Sequence, residues 1–123
     1  MSVDDLKNLS ENPINLDDLK KIEATNLSAF DQHHLRLLVH CLELFKTIAN
    51  GSLKGALPLE KDRLQWCLEQ PSLSEDRDFI EVFLEQLAFA GLQLEDLAVS
   101  LGVSPLELTL EDLISAKLDS ASN

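Results

Sequence analysis

Apolar residues along the chain recur at intervals of three and four positions, the period of a helix buried on one side, and no clean alternating run of five residues suggests a strand. Leu supplies most of these positions, Val, Ile and Thr are sparse, and there is no Tyr, so propensity and period agree on an all-α fold. Capping and breaking residues then divide the pattern. Ser2 opens a short turn of helix through Leu9 that Asn12-Pro13 ends, and Asn15 caps a second short helix from Leu16 to about Ala24.

The first long helix is predicted from Ser28 or Asp31 to Ala49, where Asn50-Gly51 suits the left-handed position past a helix end. Leu35, Leu38, Leu42, Phe45 and Ala49 form one stripe, and Leu37, Cys41, Leu44 and Ile48 the adjoining one, so the apolar face is wide enough for several neighbours. After the loop NGSLKGAL, Pro58 opens a helix from Leu59 to Glu69, with Leu64, Trp66, Cys67 and Leu68 expected on its buried side and Pro71 limiting it. Ser74 is the expected cap of a second long helix, Glu75 to Ala90, with Gly91 expected to stop it. A short helix from about Leu94 to Leu101, a turn at Gly102, and a last helix from Pro105 to about Leu118 complete the pattern. Ser104 and Glu107 are spaced as a capping box for that last helix. The predicted architecture is therefore a compact bundle of about five to seven helices with two long central ones and a helix-turn-helix-like C-terminal pair. It occupies residues 1–119 as a single domain, with 120–123 as a frayed tail.

Charge changes the picture by excluding partners. The 123 residues carry 22 acids and 10 bases, a formal net charge of −12, and residues 64–123 alone hold twelve acids against two bases. Such a surface repels phosphate backbones and anionic lipid, so nucleic acid and membrane are unfavourable partners. The opening MSVDDLKNLS has no basic segment followed by an apolar one, and no window approaches 18 uninterrupted apolar residues, which leads to the expectation of a cytoplasmic chain. Cys41 and Cys67 lack metal-knuckle or redox spacing and read as reduced core thiols.

Candidate chemistry is thin. His33 and His40 share a helix face, but seven residues of helix separate them by about 10 Å, too far for one ion, and Glu-x-x-His pairs are absent; neither a metal nor a cofactor is expected. The acid pairs Asp4-Asp5, Asp17-Asp18, Glu95-Asp96 and Glu111-Asp112 fall in first turns of predicted helices, where free N–H groups favour anions without any catalytic role. No GxSxG or GxxxxGK[ST] motif places a nucleophile or a phosphate, so an enzyme is not expected. Lys46, Lys54, Lys61 and Arg63 gather around the glycine-containing loop as a candidate basic patch, interleaved with Glu60 and Asp62.

LEDLAVSLGVSPLELTLEDL, residues 94–113, places Leu97, Ala98, Leu101, Gly102, Val103 and Leu108 where the twenty-residue helix-turn-helix pattern wants small, turn and apolar residues, and departs from it at Glu111. Over this stretch alone the chain resembles the helix-turn-helix of many bacterial regulators, which implies a transcriptional regulator contacting DNA. The would-be reading helix offers Glu107, Thr109, Glu111 and Asp112, with no basic residue before Lys117, and so opposes a groove. An acidic half that mimics nucleic acid toward a basic protein is a further reading.

The favoured expectation is a small acidic module for protein–protein interaction, regulatory or adaptor in role, with a protein partner or a second copy of itself. The motive is apolar helix surface in excess of what a small bundle covers, with Phe79, Val82, Phe83 and Phe89 as candidate interface residues.

Overall fold

A computed structural model describes residues 16–71, 73 and 75–121. Ser2, Asn12-Pro13, Asn15, Ser74 and the last two residues of the tail lie outside the described residues. Among the described residues five α-helices and one 3-10 turn follow one another: α1 (Leu16–Glu23), α2 (Ala29–Ile48), α3 (Glu60–Glu69), α4 (Arg77–Leu101), the turn Pro105–Glu107, and α5 (Leu110–Ala121). There is no strand among the described residues. The all-helical bundle with two long central helices is the one expected from the period of the apolar residues.

Local chemistry sets the ends of α2. The Ser28 side chain accepts a hydrogen bond from the Asp31 N–H at 3.1 Å, satisfying one of the donors left free at a helix start. At the far end Asn50 and Gly51 both take positive φ, 60° and 80°, and the Gly51 N–H returns to the Lys46 carbonyl at 2.7 Å. Within α2, Leu35, Val39, Leu42 and Phe45 are buried at spacings of four, three and three, so one stripe is wholly inside. This stripe packs on α4 and α5, while α3 packs mainly on α4. One hydrophobic cluster draws on every helix, from Ile22 of α1 through Phe45, Cys67 and Leu94 to Leu113 of α5. Burial of each large side chain in such a cluster contributes roughly 1.5–3 kcal/mol.

The main correction concerns Gly91. Helix α4 runs unbroken through it for 25 residues, so the expected stop after Ala90 and the separate helix from Leu94 do not exist. Glycine in a helix interior costs about 1 kcal/mol relative to alanine, which packing readily offsets. Ile80, Phe83, Leu87, Ala90, Leu94 and Ala98 form a continuous buried stripe across the site, and Gly91 itself is buried against Phe45, Leu57 and Arg63. The true stop is Gly102, at φ 70°, where the Val103 N–H bonds the Ala98 carbonyl at 3.0 Å. The start is set by Asp76, whose carboxylate accepts from the Phe79 N–H at 3.0 Å.

The last expected helix also divides. Pro105–Glu107 is a 3-10 turn, Ser104 makes no side-chain cap to it, and α5 begins only at Leu110. Thr109 and Asp112 cap α5 reciprocally, the Asp112 N–H donating to the Thr109 hydroxyl and the Thr109 N–H to the Asp112 carboxylate. The stretch Gly102 to Thr109 is far longer than the three- or four-residue turn of a DNA-binding unit, and α5 packs on α2. The geometry that would let residues 94–113 read DNA is therefore not built. Instead of serving the last helix, the Ser104 hydroxyl accepts from the Gly55 N–H at 2.9 Å, and the Gly55 carbonyl accepts from the Leu106 N–H at 3.1 Å.

Helix α3 buries less than expected. Cys67 is fully buried and Trp66 half-buried, but Leu64 and Leu68 are 40% and 36% exposed. No helix among the described residues is long and apolar enough to cross a membrane.

Candidate functional site

Where α2 and α4 diverge toward the surface they leave an apolar groove of about 320 Å³. From α2 come Leu37, Leu38, Cys41 and Leu44, displaced around the helix from the fully buried stripe. From α4 come Phe83, Leu87 and Ala90 below, with Phe89 beside them. Polar side chains enter only as neutral or weakly basic groups: His34, His40, Gln86 and Gln93, with no Asp, Glu, Lys or Arg among the lining residues. Burial pushes the Cys41 thiol up to about 12, so the cysteine acts here as a small apolar residue.

His34 ties one end of the groove to α5. Its Nδ1 accepts from the Lys117 ammonium, which also stands 3.9 Å from the Asp31 carboxylate. Burial first, and the neighbouring Lys117 charge second, hold the His34 pKa below its ordinary value, against a hydrogen bond to the Gln93 side chain and the Asp31 charge. No group of three or more His, Cys, Asp or Glu among the described residues is arranged to hold a metal ion.

The four candidate interface residues divide. Phe83 is 2% exposed, a core side chain whose edge reaches the groove floor, and half-buried Phe79 stacks on it with ring centroids 6.0 Å apart. Val82 and Phe89 are exposed, 40% and 66%, and of these two Phe89 lines the groove. The α2 wall lies outside that set, although the second apolar stripe of Leu37, Cys41 and Leu44 signals it in the sequence.

The basic patch is partly consumed by the fold. Arg63 turns inward, its Nε donating to the Pro58 carbonyl at 2.9 Å and its guanidinium lying 4.8 Å from the centre of the Phe45 ring. Lys46 lies 3.8 Å from the Glu43 carboxylate, while Lys54 and Lys61 are exposed. A second hollow, between the Asn50 loop and α3, has a largely polar lining that includes Asn50, Asp62, Gln65 and Glu69.

Over residues 14–123 the sequence matches the family described as NDH complex assembly factor CRR9. The chain belongs to that family. No curated protein and no solved structure matches it. The CRR9 description is of an assembly factor, a role exercised through other proteins, and it names no reaction. An apolar groove with no Asp, Glu, Lys or Arg in its lining is the kind of site such a role requires.

Proposed function

We propose that this CRR9-family chain takes part in assembly of the NDH complex as a non-catalytic adaptor that holds a partner protein in the groove between α2 and α4. The observation that carries the reading is the groove itself, an apolar surface walled by both central helices and left uncovered by α1, α3 and α5. A cavity lined by Leu37, Leu44 and Phe89 gains free energy when another apolar surface displaces its water, and that gain is what a transient holding step needs. Family membership supplies the complex, and the groove supplies the means. A regulator acting on DNA has no comparable support, because the acidic α5 faces no groove-reading geometry.

The test is recovery of NDH-complex subunits with a tagged chain expressed in its native cells, after nuclease treatment, with the subunits identified by mass spectrometry. The wild-type chain and Val99→Ser, altered at an exposed apolar residue outside the groove, are expected to retain them. Phe89→Ser is expected to lose them. Equal recovery with Phe89→Ser and wild type would overturn the proposal, as would an association that disappears with nuclease.

A further inference from the structure

Resting on that reading, we infer that the groove takes a basic amphipathic helix of about three turns from the partner protein, with apolar side chains in the cleft and Lys or Arg along one flank. The first support is length. The lining runs from His34 to Leu44 on α2 and from Phe83 to Gln93 on α4, ten residue steps on each helix, or about 15 Å at the rise of an α-helix. A helix of similar length lying in the groove presents apolar side chains at i, i+3 or i+4, and i+7, matched to a floor of Leu38, Cys41, Phe83 and Leu87.

The second support is charge. Along the outer side of α4, Asp78, Val82, Glu85, Phe89, Leu92 and Asp96 follow at spacings of four, three, four, three and four, so acids and apolar residues share one exposed stripe. Phe89 belongs both to this stripe and to the groove wall. None of these three carboxylates forms an ion pair with another described residue; the three salt bridges join Lys21 to Glu111, Lys46 to Glu43 and Lys117 to Asp31. A partner whose apolar side reaches Phe89 places its flank over Glu85 and Asp96, where cations are favoured and anions repelled. The same stripe disfavours a second copy, which would bring these acids toward a chain of net charge −12.

The probe is a pair of fluorescent synthetic peptides of about fourteen residues, four helical turns, with identical Leu positions and either Lys or Glu on the flank. Binding to the full chain is followed by anisotropy at several salt concentrations. The Lys peptide is expected to bind at least about tenfold tighter than the Glu peptide, with an affinity that falls as salt rises. Phe89→Ser weakens it by about tenfold, with Leu37→Ser on the opposite groove wall as the second variant should the first lose its helical circular dichroism. Glu85→Gln with Asp96→Asn weakens binding and its salt dependence, whereas Glu60→Gln with Asp62→Asn, an equal loss of charge on α3, does not. Equal binding of the two peptides, or equal effects of the two double variants, overturns the inference. A dimer by light scattering that Phe89→Ser dissociates also overturns it in favour of a second copy. If groove variants abolish recovery of NDH-complex subunits while the Lys peptide fails to bind, the assembly role stands and the partner chemistry falls. Peptide binding without any effect on recovery gives the reverse.

Discussion

Two faces of α4 use nearly the same residues to opposite ends. On the inner face Phe83, Leu87 and Leu94 are at most 2% exposed, and on the outer face Val82, Phe89 and Leu92 are 40–66% exposed. Residue type does not separate the two sets; phase does. The inner residues meet α2, α3 and the turn before α5, whereas Val82 and Leu92 meet solvent and Phe89 edges the groove. The difference teaches that this chain has more apolar helix surface than its fold consumes, and that part of the surplus, Val82, Phe89 and Leu92, lines up on one side of α4.

The comparison breaks most visibly by truncation. Leu94→Ala, at a fully buried site, is expected to cost about 2–5 kcal/mol, whereas Phe89→Ser should change stability by no more than about 0.5 kcal/mol. Urea unfolding of both variants measures this, and similar losses would show that Phe89 belongs to the core. A smaller effect, of opposite sign, is expected at the centre of the inner face. A Cβ added to Gly91 would meet Leu57 Cδ1 at 3.4 Å, Arg63 Nη2 at 3.5 Å and Phe45 Cζ at 3.6 Å, all ordinary contacts. Gly91→Ala should therefore raise stability by up to about 1 kcal/mol through helix propensity, and a lower urea midpoint would mean that α4 and its neighbours pack too closely there for a methyl group.

The mildest effect concerns the rim. The folded protein holds His34 below its ordinary pKa of 6.5, so the unfolded chain takes up a proton that the native state resists. Stability from this site is complete above about pH 6.5 and is lost as pH falls through the folded value. Urea midpoints measured from neutral to mildly acid pH should show a shallower decline for His34→Gln than for wild type. Identical slopes would remove His34 as the source.

The ends of α2 were legible because each depends on neighbours in sequence: Ser28 three residues before Asp31, and Asn50-Gly51 just past the last turn. Gly91 misled because a glycine after an apolar run resembles a stop, yet the stripe through Leu87, Leu94 and Ala98 already carried the helix past it. Pro105 with the Ser104 and Glu107 pair suggested one continuous helix, while Thr109 and Asp112, spaced as a second box, marked the real start of α5. The groove was legible only in halves. Each wall is a visible stripe on its own helix, but their meeting depends on how α2 and α4 cross, which no local pattern encodes. Arg63 shows the same limit, a surface cation by sequence that ends over the Phe45 ring.

The paired hydrogen bonds between Gly55 and the segment Ser104–Leu106 join positions 49 to 51 residues apart. Closing so long a loop carries an entropic cost that helix formation within α2 or α4 does not, so this clasp belongs to the late stages of folding, after the two central helices have docked. In the native state it acts as a latch: the Gly55 and Leu106 amides, although outside any α-helix, exchange their protons with solvent only when the α2–α3 loop and the end of α4 part.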